Sequence, residues 1–129
     1  MILRGRDGVE ATTIEDIHGG EGKAHVRQLL GEEPRLPDVP GFPEDFDSTM
    51  NFFHETILEE GASIGLHPQE GNEEIYYFVE GEGDMTVDDK TEKVGPGDVC
   101  LTKDGSKHAL KNTGDGELRI LVIEADVLD

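Results

Sequence analysis

The stretch GASIGLHPQEGNEEIYYFVEG, residues 61–81, decides the fold. His67 and Gln69 stand two apart, so on an extended chain they project to the same side. Gly71 and Asn72 then make a turn. In the run that follows, Glu74, Tyr76 and Phe78 share one face, while Ile75, Tyr77 and Val79 share the other. A strand apolar on both faces is expected to be buried on both. A carboxylate at its head is costly there unless it is paired or bound to a metal.

A second stretch, GDVCLTKDGSKHALKN, spans residues 97–112. Asp104, Gly105 and Ser106 end one strand in a turn, and His108 opens the next. Two imidazoles and a carboxylate form a facial triad that leaves coordination positions open. The candidate ligands are therefore His67, Gln69, Glu74 and His108. Gln69 reads equally as a ligand or as a hydrogen-bond partner of a substrate. The alternative for His67 and His108 is that of satisfied polar residues in a scaffold without metal.

Together the two stretches resemble the paired motifs of the cupin superfamily. Gly61, His67, Glu74 and Gly81 fit the first motif, and Gly97, Gly105, His108 and Asn112 fit the second. Gln69 stands where the family usually has its second histidine, and Lys103 where it usually has proline. The motif spacing also admits Glu73 as the carboxylate; the six residues before Gly81 favour Glu74. The resemblance implies an all-β, double-stranded β-helix (jelly-roll, cupin-type) barrel. It also implies one divalent transition metal per chain, of the Fe, Mn, Ni or Zn group. A neutral amide at position 69 is a weaker ligand than imidazole and favours harder ions.

Outward from the motifs, the chain reads as one domain in three parts. Residues 1–31 are a lead-in, with a short strand around Ile14 and Ile17 and another from Ala24 to Leu30. Residues 32–48 form a Pro-rich loop. Pro34, Pro37, Pro40 and Pro43 recur every third residue, which favours extended polyproline-like backbone. The loop is expected to hug the surface, with a lid as the alternative. Residues 49–127 carry the barrel core as short strands between glycines: 52–58, 64–67, 74–80, 85–87, 91–94, 99–102, 108–111 and 118–124.

Other residues bear on chemistry. His54 shares a side with Phe52 and Thr56, either facing the cavity as an acid/base or partly exposed on its strand. Tyr76 is expected to wall the pocket and to offer a hydroxyl. His54 and Tyr76 are thus the candidate catalytic residues. His18 and His25 are expected at the surface, and Cys100 as an inert buried thiol.

Composition narrows the function classes. The chain has 129 residues, 30 acidic against 11 basic, for a net charge of −19. Such a surface repels phosphate backbones and anionic headgroups, so neither nucleic acid nor membrane is an expected partner. An anionic ligand must be attracted locally, by a metal or a few cations. One cysteine allows no internal disulfide, and a cytoplasmic location is expected. The first reading is a metal-dependent enzyme on a small polar molecule, of the dioxygenase, isomerase, decarboxylase or lyase type. The second is a non-catalytic module that binds a sugar or organic acid. A homodimer is expected from the resemblance and from the open sheet edges a chain this short would leave.

Overall fold

The structure, a computed structural model, describes residues 1–128. The apolar runs between glycines become ten strands: β1 (Thr12–Glu15), β2 (Lys23–Gly31), β3 (Met50–Leu58), β4 (Ser63–Pro68), β5 (Asn72–Glu80), β6 (Gly83–Val87), β7 (Lys90–Val94), β8 (Val99–Thr102), β9 (Lys107–Asn112) and β10 (Leu118–Asp126). Ile17 is not in β1; it opens a 3-10 turn, Ile17–Gly19. Among the described residues no helix is long and apolar enough to cross a membrane.

The strands form two antiparallel sheets in jelly-roll fashion. One has the order β1-β2-β3-β10-β5-β8 and the other β4-β9-β6-β7. Their inner faces meet in one cluster that includes Val26, Phe52, Leu58, Phe78, Leu110, Leu118 and Ile120. Alternation is clean in β10, where Leu118, Ile120, Val122 and Glu124 all point inward. The expected barrel does not close: no described ladder joins the two sheets. The polar strand β7 is exposed along all but its last residue. It brings no apolar face that would draw it over the core, and it stays as an open edge.

The expectation for β5 is also corrected. Strand β5 is not buried on both faces, since Tyr77 remains 41 % exposed. The N-terminal segment reaches β2 and β3, where Arg4 bonds the Leu29 carbonyl and Arg6 bonds Glu55. Glu55 there is buried yet held by Arg6, Arg27 and Arg119. Burial acts to raise its pKa, but the hydrogen bonds from Arg6 and Arg119 outweigh it and the carboxyl lies below its ordinary value.

The Pro-rich loop is a chain of turns, not an extended polyproline run. Backbone bonds run from Leu36 to Glu33, from Val39 to Leu36 and from Asp45 to Phe42. Pro34, Pro37 and Pro43 each take the second position of one of these turns, which proline's fixed φ suits. The three-residue repeat is a turn period. The loop also does more than hug the surface: Val39 is 1 % exposed and Leu36 packs on the core.

Asn112 ties the motif-bearing half together. Its Nδ2 donates to the carbonyls of Leu58, Glu59 and Gly116, and its Oδ1 accepts from the Gly114 amide. The side chain is 2 % exposed, so no water replaces these bonds. Asn112→Ala should therefore lose about 2–3 kcal/mol of unfolding free energy in a urea titration. A loss under about 0.5 kcal/mol would count against this role.

Candidate metal centre

Strict alternation along β4 would bury Leu66 with Ile64 and turn His67 outward. The pairing of β4 with β9 instead shifts register between Ile64 and His67. The extra residue inverts the parity, leaving Leu66 55 % exposed and His67 turned in. Gly65 lies within this irregularity. A Cβ there would sit 2.2 Å from the His18 carbonyl oxygen, so only glycine admits the close passage of the 17–20 turn.

His67, Glu74 and His108 converge, each presenting one ligand atom within 4.8 Å of the others. The Nε2 atoms of His67 and His108 are 3.0 Å apart, and Glu74 Oε1 is 3.4 Å from His108 Nε2. Two nitrogens at about 2.1 Å from one ion are this far apart when they subtend roughly a right angle. Each ring is oriented from behind. His67 Nδ1 donates to the Gly65 carbonyl at 2.8 Å, and His108 Nδ1 is bonded to Thr102 Oγ1 at 2.8 Å. The first of these bonds leaves His67 Nε2 as a lone pair facing inward. Burial lowers both histidines to about 4, so they stay neutral and able to ligate.

Gln69 is fully buried, and its Nε2 donates to His108 Nε2 at 3.0 Å. Its Oε1 has no partner among the described residues. Two inward-facing imidazole nitrogens 3.0 Å apart, beside a buried carboxylate, are what a cation would satisfy. The donor set of two imidazoles, one carboxylate and one amide fits a divalent transition metal. Glu73 is not in the cluster.

Three residues that sequence reading did not single out complete the surroundings. Glu33, from the loop, and Glu124, from β10, form a second convergent group with Glu74. Arg35, also from the loop, bonds Glu33 through Nε and Nη2 at 2.8 Å. Its Nη2 also contacts Glu124 and lies 3.4 Å from Glu74 Oε2. All three carboxylates are nearly excluded from solvent, at 3–4 % side-chain exposure. Burial pushes Glu74 up to about 7 and Glu124 up to about 8, with Arg35 acting against it. One guanidinium cannot neutralise all three carboxylates, and protons held on Glu74 and Glu124 make up the balance; a divalent ion at the centre would take the place of the Glu74 proton.

His18 is not a surface residue. Its ring stacks on His67 with centroids 3.8 Å apart, and its backbone is left-handed at φ 52°. Burial holds it neutral at about 4. The signal was Gly19-Gly20 ahead of Gly65, but it speaks only once the two segments are known to touch. His25 behaves as expected, half-exposed and bonded to Glu59. Cys100 is half-buried, and burial raises its thiol pKa, as fits an unreactive group.

Two spaces adjoin the cluster. An outer groove of about 640 Å³ is lined by Glu32, Glu70, Asn72, Glu124 and Asp126 among others. An inner cavity of about 20 Å³ has room for about one water. His54 and Tyr76 both line this inner cavity, His54 bonded to Thr56 and Tyr76 tilted against the His108 ring. His18, Arg35 and His67 line both spaces, so they form the partition between them.

The sequence profile of the Cupin domain matches residues 54–124, which hold every motif residue named above. The chain belongs to the cupin family. This cupin is 31 % identical over 123 residues to an oxalate-binding protein of Thermotoga maritima, covering 95 % of this chain and 92 % of the relative. The crystal structure of a predicted oxalate decarboxylase from Thermotoga maritima superposes with a TM-score of 0.82 at 30 % identity, covering 98 % of this chain and all of that one. An uncharacterised protein of Methanocaldococcus jannaschii is 33 % identical over 79 residues, 61 % of this chain and 63 % of its own length.

Burial lowers His54 from 6.5 to about 4. The neutral form is favoured in the fold, so its contribution to stability is whole above pH 6.5 and is lost as pH falls through about 4. In metal-free protein, the advantage of wild type over His54→Gln in melting temperature should shrink by roughly 5–10 °C between about pH 7 and pH 4.5. A pH-independent difference would exclude the buried neutral ring.

Proposed function

We propose that this cupin holds one divalent transition metal on His67, Glu74 and His108, with Gln69 beside them, and uses it to bind a small dicarboxylate of the oxalate class. The observation that carries the reading is the inward meeting of two oriented imidazoles and a buried carboxylate, with the buried amide of Gln69 against His108. The name of the Thermotoga maritima relative supports the ligand class. When bound, the metal supplies a Lewis acid for a carboxyl or carbonyl oxygen. In an acid-lined groove this positive charge is what makes an anion acceptable.

A metal-dependent enzyme is the second reading. It is favoured by the ring of proton-bearing groups around the cluster. Burial holds the Tyr76 phenol protonated far above its ordinary range, which suits it to donate rather than to accept. His54 borders the same inner cavity. Turnover of oxalate by the metal-loaded protein separates this reading from saturable binding without product.

The decisive titrations are calorimetric. Wild type should bind one Mn²⁺ or Zn²⁺ per chain, and His67→Ala should bind it at least about a hundredfold more weakly. Oxalate should bind the metal-loaded protein only. Equal metal content in the variant, or oxalate binding without metal, would overturn the proposal.

We also propose that the chain is a homodimer through the outer face of the six-stranded sheet. Val99, Leu101 and Tyr77 are exposed there and continue across the sheet through Leu121, Ile123 and Phe53. The adjoining Arg6, Arg27 and Arg119 surround a single buried carboxylate. In a chain of net charge −19, this is a face on which two copies can approach. Sedimentation should give twice 14.1 kDa, and Leu101→Glu should give the single mass. Only 14.1 kDa species for wild type at micromolar concentration would exclude the dimer.

A further inference from the structure

The Arg35 guanidinium is held so that part of it stays open. Nε and one Nη2 hydrogen bond grip Glu33, and Nη2 also faces Glu124 and Glu74. The backbone amide of Arg35 closes the same clamp by donating to Glu33 Oε1 at 2.9 Å. Among the described residues no hydrogen bond engages Nη1. The side chain is 31 % exposed and lines the outer groove as well as the inner cavity. The plane of the group is therefore fixed, while two N–H donors remain for something that enters the groove.

The position of this open donor is informative. Glu74 faces Arg35 through Oε2 and His108 through Oε1. Glu74, itself a candidate ligand, thus bridges the guanidinium and His108. The groove is otherwise hostile to anions, with Glu32, Glu70, Glu124 and Asp126 in its wall, and Arg35 is the one arginine or lysine among its lining residues. A carboxylate ligand that reached the centre would meet repulsion everywhere except at the metal and at this residue.

We propose that Arg35 is the specificity-determining residue of the site, its Nη1 taking one carboxylate of a small dicarboxylate whose other carboxylate occupies the centre at His67, Glu74 and His108. This rests on the dicarboxylate reading above. A guanidinium held by Glu33 loses little freedom on binding, so the contact discriminates between charged and neutral ligands. Glu33 is then a positioning residue, which acts only through the orientation of Arg35.

The test compares wild type, Arg35→Gln and Arg35→Lys, each loaded with Mn²⁺ and checked for metal content. Calorimetric affinities are measured for oxalate and for its neutral diamide, oxamide. With metal content equal, Arg35→Gln should weaken oxalate about tenfold to a hundredfold and change oxamide by less than about threefold. Arg35→Lys, which keeps the charge but not the fork, should fall between for oxalate. Oxalate affinity within about twofold of wild type in Arg35→Gln overturns the assignment, as does an equal loss for both ligands. Loss of metal from Arg35→Gln alone would make Arg35 part of site assembly and likewise overturn it. Failure of metal-loaded wild type to bind oxalate sinks the dicarboxylate reading itself, a result distinct from the others.

Discussion

Three carboxylates, Glu33, Glu74 and Glu124, lie almost out of reach of water with one guanidinium among them. An isolated buried carboxylate is costly, and a partly neutralised group of them more so. The fold answers in two ways within one small volume. Protons stay on Glu74 and Glu124 well above the usual carboxylate range, and Arg35 is drawn in from a segment distant in sequence. The neutral imidazoles alongside make the same volume receptive to a cation.

Much of the architecture serves to build that volume. A register shift in β4 turns His67 toward it, and a glycine at that point admits the turn that lays His18 over the ring. Proline-set turns carry Glu33 and Arg35 down from the connecting loop. The straight inward alternation of β10 delivers Glu124 opposite Glu74. None of these elements is stabilising in isolation at the centre. Each is held by apolar contacts elsewhere, such as Val39 under the loop and Ile120 and Val122 behind Glu124.

The ten strands were legible because glycine punctuation and period-two alternation are local signals. The convergence of His67, Glu74 and His108 was legible because spaced motifs encode it. What the sequence hid was long-range. Glu124 stands 89 residues from Arg35 and Glu74 stands 39 away, and no local pattern links them. Glu124 left a trace as the acid that follows Leu118, Ile120 and Val122 on one register of an apolar strand. His18 left a weaker trace, since its place depends on a left-handed turn meeting Gly65. The proline spacing misled because three residues is the repeat of both a polyproline helix and consecutive β-turns. The buried outer face expected for β5 failed because the described residues leave Tyr77 41 % exposed.

The tilt of Tyr76 against His108, with ring centroids 4.9 Å apart, has an optical consequence. The chain has no tryptophan and two tyrosines, one enclosed beside the centre and the other, Tyr77, on the outer sheet face. Intrinsic emission from this protein therefore comes from one chromophore at the heart of the site and one at its exterior. A coloured or paramagnetic ion seated next to the imidazole would darken the inner fluorophore far more than the outer one, giving the molecule a built-in gauge of its own occupancy.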